Sequence, residues 1–244
     1  MKTQKEIQEY YNDYSKKQFK TGINLRHYYL INKLIEVGLK KNHKVLEIGC
    51  GIGTLTGLIQ KVVKSGKIIA ADISDESINI AKQRLKNKGN IDFFVTDMTN
   101  FSIPEVFDFV ILPDVLEHIP VENHKKLFAT INNHMNNNSV IFINIPHPLS
   151  IEYMGKHQPE KLQVIDQAIH LNILAESVYS NNLQIIDYKP YKLYHNYVDY
   201  VLITIKRKNE LKYESLSQSN IILKKLKERV SFYFSLVLRM CKIQ

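Results

Sequence analysis

Between Lys44 and Lys206 the chain alternates short apolar runs with longer amphipathic ones. Lys44 to Ile48, Lys67 to Ala71, Ile91 to Thr96, Phe107 to Leu112 and Ser139 to Ile145 are short, mostly apolar runs, the pattern of strands buried on both faces. The stretches between most of them carry helical spacing: Thr54 to Lys64, Asp75 to Lys88 and Val121 to Met135. Ser74 is placed to cap the second of these, and Gly89 lies just past its end. Five β runs alternating with helices predict an α/β fold, a doubly wound and mostly parallel sheet. After a further helical stretch, Val164 to Ser180, two more β runs follow at Leu183 to Tyr188 and Tyr197 to Lys206. No long helical stretch separates them, so they are expected as an antiparallel pair at one edge, making seven strands in all.

The flanks differ from this repeat. In residues 1–40, Ile23, Leu30, Leu34 and Val37 recur near a helical period, and Gly38 interrupts it, so an N-terminal helical segment is expected. Residues 146–163 hold Pro146, Pro148, Gly155 and Pro159 and read as irregular. An irregular stretch of that length is commonly functional. The expected organisation is a helical cap over 1–40, a central domain over 41–208 with an insertion at 146–166 that lines the substrate pocket, and a linker and helix over 209–244.

Chemistry enters at the first turn. Gly49, Gly51 and Gly53 directly follow the first strand and directly precede a helix. Glycine lets a ligand approach the main chain closely, and the helix start presents free N–H groups. In a doubly wound sheet this is the ligand crevice. The glycines are evenly spaced by two, unlike a dinucleotide turn, whose third glycine falls three residues after the second. Asp72 ends the second strand, where a carboxylate can accept from both hydroxyls of a ribose. Asp97 ends the third.

With these residues in view, the sequence resembles the class I S-adenosylmethionine (SAM)-dependent methyltransferases. The likeness is carried by Glu47-x-Gly49-x-Gly51-x-Gly53, Asp72-Ile73, Asp97-Met98 and Phe107 to Asp114, and it covers residues 25 to 145 firmly. It implies a Rossmann-like methyltransferase fold with SAM as cofactor and S-adenosylhomocysteine as product. By the same resemblance, the glycine turn lies against the amino acid part of SAM and Asp72 holds the ribose, with Ile73 beside the adenine. Asp97 and Met98 border the adenine, and Pro113 and Asp114 lie below the sulfonium. Leu116 to Pro120 resembles the segment that follows strand four in many small-molecule methyltransferases. A segment like 1–40 closes over SAM in such enzymes, which makes Tyr14 and Arg26 candidate contacts.

A hydroxyl acceptor needs a base within hydrogen-bond reach, and histidine suits that role near neutral pH. His118 and His147 both follow strands at the ligand edge, and Glu117 adjoins the first, so these three are the catalytic candidates. The expected function is O-methylation of a small-molecule hydroxyl: a sugar, a natural product or a lipid-linked intermediate. The alternatives are a methyltransferase acting on a quinone or lipid at the membrane surface, and a SAM-binding regulatory or scaffold module without turnover. The family's nucleic-acid signatures are missing. No Asn/Asp-Pro-Pro-aromatic motif follows strand four, no cysteine lies there, and no lysine occurs between Lys88 and Lys125. No metal is expected, as no tight carboxylate cluster occurs, although Asp114, Glu117 and His118 stay open as ligands.

Charge changes the picture only at the tail. The formal net charge is +9, yet ten basic and three acidic residues fall from Lys206 onward, against 23 and 21 before it. Residues 209–220 read as a linker. Ile221 to Lys242 reads as an amphipathic helix with Ile222, Leu226, Val230, Tyr233, Val237 and Cys241 on one side. Docking on the domain or on a second copy is the first expectation for that face, and peripheral contact with an anionic membrane the second. Nucleic acid comes third, because no aromatics are interleaved with the basic residues on a sheet or groove element. Two cysteines fit a reducing compartment. No leader segment and no apolar run of 18 residues is seen. The expected location is the cytoplasm, with the inner membrane face as the variant the tail suggests.

Overall fold

The computed structural model describes residues 4–97, 99–209 and 215–240. One compact unit runs to Lys208 and a second begins at Asn209. The first is built on a seven-stranded sheet. Its strands are β1 (Lys44–Ile48), β2 (Lys67–Asp72), β3 (Ile91–Val95), β4 (Phe107–Pro113), β5 (Met135–Pro146), β6 (Leu183–Tyr191) and β7 (Tyr200–Arg207), in the order β3-β2-β1-β4-β5-β7-β6. The pairs from β3 through β5 are parallel, while β7 runs antiparallel to both β5 and β6.

Both faces of the sheet are covered, which is why its central strands are apolar nearly throughout. Alternation along β4 sends Val110 and Leu112 to one core and Phe109 and Ile111 to the other. The first core is closed by α5 (Val121–Asn133) and α7 (Leu171–Tyr179), through Leu127, Phe128, Ile131, Leu174 and Val178. The second is closed by α2 (Leu25–Glu36) and α3 (Thr54–Val62), through Leu30, Leu34, Leu55, Leu58 and Ile59. Each such side chain contributes roughly 1.5–3 kcal/mol by leaving water. Consecutive connections leave β1 in opposite directions, towards β2 and then β4. That opens a crevice beyond the carboxyl ends of these two strands.

The structure departs from the sequence expectation at several junctions. The N-terminal segment is two helices, α1 (Gln4–Thr21) and α2, broken at Gly22, whose φ is +61°. Asn24 restarts the chain: its side chain accepts from His27 N while the His27 ring accepts from Asn24 N, a closed capping box. Ile23 is therefore outside any helix and exposed. α4 (Asp75–Arg84) is capped by the Ser74 side chain as expected, but ends at Leu85, before Gly89. Residues 146–163 are mostly ordered: α6 (Pro148–His157) starts with Pro148 in its first turn, where its missing N–H costs nothing, and a short turn follows at Pro159–Lys161. The expected helix from Val164 begins only at Leu171, so residues 162–170 form the irregular stretch.

In the second unit, α8 (Gln218–Met240) covers most of the expected tail helix, and Cys241 lies outside the described residues. Among the described residues, no helix is long and apolar enough to cross a membrane.

Candidate active site

The glycine turn after β1 is a left-handed run. φ is +75° at Gly49, +51° at Gly51 and +74° at Gly53, a region where a Cβ is disfavoured. At Gly49 a Cβ would lie 2.1 Å from Val115 Cγ2, so this turn and the one after β4 touch. The N–H groups of Gly49 and Cys50 both donate to Ala71 O, at 2.8 and 3.0 Å, which ties the turn to the end of β2. Gly53 caps α3 without a side chain, leaving the first-turn N–H groups to the crevice.

Asp72 is buried at the end of β2. Its Oδ2 accepts from Gly51 N at 2.7 Å and its Oδ1 from Ser74 N at 2.9 Å. Burial pushes its carboxyl up and these N–H groups push it down. Each oxygen has a second lone pair, so Asp72 can hold both loops and still accept from two hydroxyls. Glu47 is fully buried; its Oε2 accepts from Thr56 Oγ1 at 2.6 Å, and its Oε1 has no partner. Burial raises its carboxyl to about 8.

α1 closes one side. Ser74 Oγ donates to Asn12 Oδ1 at 2.6 Å, and Gln18 Oε1 lies 2.7 Å from where a Cβ on Gly51 would stand. That Gln18 oxygen and the Tyr11 hydroxyl are buried without hydrogen-bond partners. Such orphans are rare in a finished core and mark places where a ligand completes the bonding. A narrow left-handed turn, two carboxylates with free acceptor capacity and orphaned polar atoms on the covering helix together fit an adenosyl amino acid cofactor.

Asp97 turns on its own chain: its Oδ1 accepts from Thr99 N and Asn100 N. Ile73 is half-buried beside Asp72. Met98 lies outside the described residues. Pro113 ends β4 opposite Asn144. Asp114 follows at φ +56°, a left-handed residue whose carboxylate is held from two sides. Arg26 Nε lies 3.0 Å from its Oδ2, and Asn144 Nδ2 donates to its Oδ1 at 2.7 Å. Asn144 Oδ1 in turn accepts from Tyr191 OH at 2.7 Å. Arg26 also donates from Nη1 to Tyr200 OH at 3.1 Å; burial works against its charge, but Asp114 and Tyr200 outweigh it and hold the proton firmly. Arg26 thus fixes the strand-four turn, a role its sequence position did not suggest. Tyr14 stacks on Tyr10, and its hydroxyl is raised by burial and by Asp114 and Asp166 against the pull of Arg26.

Beyond Asp114 a 3-10 turn at Leu116–His118 carries the catalytic candidates. His118 Nδ1 lies 2.6 Å from Ile165 O and 3.0 Å from Asp166 Oδ1. A carbonyl only accepts, so Nδ1 carries a proton and Nε2 is the atom that titrates. Nε2 faces Glu117 Oε1 at 3.8 Å, and the Tyr11 ring stands 6.0 Å from the imidazole. Burial opposes a charge on His118, but Glu117, Asp166 and the Ile165 carbonyl outweigh it and raise the ring to about 9. Glu117 is buried and its Oε2 is unpartnered; burial pushes its carboxyl up. Gln163 Oε1 is a further orphan, and Gln163 N donates to Asp166 Oδ2 at 2.6 Å.

His147 is elsewhere: it precedes α6, its N–H donates to Asp199 O, and burial and His170 lower its ring. No hydrogen bond or ion pair among the described residues joins it to Glu117, His118 or Asp166. Among those residues no group of three His, Cys, Asp or Glu side chains is arranged to hold a metal ion.

Asp166, Asn144 and Gln18 were not legible as site residues. Asn144 had a signal, a polar residue inside the apolar run Ile143-Asn144-Ile145; Asp166 had only its place at the end of the segment expected to line the substrate pocket, because its role depends on where residues 162–170 return to β4.

A family model described as a methyltransferase domain matches residues 45–138. A putative methyltransferase 235L of Invertebrate iridescent virus 6 is 29% identical over 172 residues, covering 67% of this chain and 63% of that protein. Malonyl-[acyl-carrier protein] O-methyltransferase 1 of Ilyobacter polytropus is 34% identical over 73 residues, covering 30% of this chain and 27% of that protein. The chain spans less than two thirds of the length of either curated relative. Others are named as N- and C-methyltransferases, so likeness does not select the atom methylated. The crystal structure of a Synechocystis magnesium protoporphyrin IX methyltransferase with bound S-adenosylhomocysteine superposes with a TM-score of 0.65 at 15% identity, covering 84% of this chain and 99% of that one. Residues 45–138 match the methyltransferase domain, and the fold around them is that of SAM-dependent methyltransferases.

Proposed function

We propose that the chain transfers the methyl group of SAM to a hydroxyl of a small molecule, with His118 as general base. The observation that carries this reading is the fixed tautomer of His118, with Nδ1 bonded to Ile165 O and Asp166 and Nε2 left to titrate. The glycine turn, Glu47, Asp72 and Asp97 would hold the cofactor, which supplies an activated methyl on a sulfonium.

His118 Nε2 would take the proton as the acceptor's O–H bond breaks, and the acceptor oxygen would form its bond to the methyl carbon as that carbon's bond to the sulfonium breaks, its electron pair staying on the sulfur of S-adenosylhomocysteine. Asp166 stabilises the imidazolium that results, as the orienting carboxylate does in hydrolase triads. Glu117 Oε2 and Gln163 Oε1 are buried and unpartnered, and both can accept a hydrogen bond. They suit an acceptor with several hydroxyl donors. An amine sheds its proton to water before attack and has less need of a base so held.

The test is transfer from isotopically labelled SAM into an extract of small molecules, with the product analysed by mass spectrometry. An O-methyl product whose formation is lost in His118→Ala, with SAM binding kept, supports the reading. An N- or C-methyl product, or full turnover in His118→Ala, overturns it.

A further inference from the structure

From the second unit taken by itself, we infer that α8 is a docking element for an anionic lipid surface. Ile222, Leu226, Val230 and Tyr233 repeat at four, four and three residues and so share one face, with Leu223 and Phe234 beside them. Each of the six is more than half exposed. The cations border this arc. Lys227 follows Leu223 and Phe234 around the helix on one side, while Lys225 and Arg229 flank Ile222 on the other. The Arg229 guanidinium lies 5.9 Å over the Tyr233 ring, which fixes a charge at the border of the apolar face. Lys224, Glu228 and Ser231 occupy the opposite face. Ile221 and Phe232 fall beside Lys225 and widen the apolar side there.

Charge decides the occupant. Lys224, Lys225, Lys227 and Arg229 stand against Glu228 alone. A second copy would present the same cationic borders, and like charges facing across an interface are disfavoured. A bilayer surface with anionic headgroups is complementary to both borders while its acyl boundary takes the apolar arc. Long basic side chains at the edges of that arc can keep their charges at headgroup level while their stems stay apolar. The helix needs no spanning length for this, only one face.

The experiment is flotation of the full chain with phosphatidylcholine vesicles, with and without phosphatidylglycerol, at low and high salt. The expected result is binding to the anionic vesicles, weak binding to the neutral ones, and loss at high salt. Replacing Lys225, Lys227 and Arg229 singly by Gln weakens binding roughly fivefold each. Leu226→Asp with Val230→Asp abolishes it, while SAM affinity by calorimetry stays unchanged and shows that the variant is folded. Absence of flotation with both vesicle types overturns the inference. So does light scattering that shows a dimer which Leu226→Asp with Val230→Asp dissociates, if no vesicle binding occurs. Binding of single-stranded RNA without vesicle binding also overturns it, by assigning the cations to a different partner.

Discussion

Replacing Asp166 by Asn removes a full charge from 3.0 Å beside His118 Nδ1 while keeping a side chain of the same shape. The Ile165 carbonyl still accepts from Nδ1, so the tautomer survives and only the electrostatics change. His118 is raised from an ordinary 6.5 to about 9, with burial opposing the rise and Glu117, Asp166 and Ile165 driving it. Losing the Asp166 share lowers the midpoint by roughly one to two pH units, about 1.4–2.7 kcal/mol. NMR titration of the imidazole nitrogens reads this directly and needs no acceptor, the His118 signal being assigned by its loss in His118→Asn. The wild-type midpoint is expected near 9, with Nδ1 protonated throughout, and the variant midpoint well below it. A wild-type midpoint near 6.5, or one that does not move in Asp166→Asn, would refute the account of this dyad.

The same shift makes stability fall with rising pH. A group raised on folding contributes fully below its unfolded value, here 6.5, and the contribution disappears as pH passes about 9. For His118 that is on the order of 3 kcal/mol, which urea unfolding at pH 6 and pH 9.5 would detect as a difference between wild type and His118→Asn. Once an acceptor is known, turnover should rise with pH towards 9, because the resting histidine is mainly imidazolium at neutral pH; a flat profile counts against the base assignment. Gly49→Ala should destabilise the fold by roughly 2–5 kcal/mol in thermal or urea unfolding, since a left-handed residue gains a Cβ that meets the stiff Val115 side chain. Gly51→Ala meets only the flexible end of Gln18, so it should weaken SAM binding more than it weakens the fold. Arg26→Gln leaves the half-buried Asp114 carboxylate without its cation and should cost about 1–3 kcal/mol of stability, measured by urea unfolding.

The sheet was legible because its strands are buried on both faces and written as continuous apolar runs. The gathering of Glu47, the three glycines and Asp72 at one crevice was legible because it is local: each sits at a strand end that the pattern locates. What was not legible depends on distant segments meeting. Arg26 was expected as a cofactor contact; its hold on Asp114, which the turn sets at a positive φ, shows only once α2 is laid against the end of β4. His118 and Glu117 were visible as chemistry, but the orienting group, Asp166, comes from a stretch expected to be helical and in fact irregular. His118 and His147 were alternative bases in expectation because both follow strands; after β5 the chain turns into α6, with His147 beside Asp199 and His170. The break at Gly22 was hidden because the repeat read as one helix, Ile23 to Val37, lies entirely after it.

The central claim is that the crevice between the glycine turn and Asp72 holds SAM. Calorimetric titration of SAM and of S-adenosylhomocysteine into the full chain tests it most directly, with Asp72→Ala as the control. Saturable one-to-one binding of both compounds, weakened at least tenfold in a variant that stays folded, is the predicted result. No heat of binding from either compound to the folded wild type, or unchanged affinity in Asp72→Ala, would contradict it.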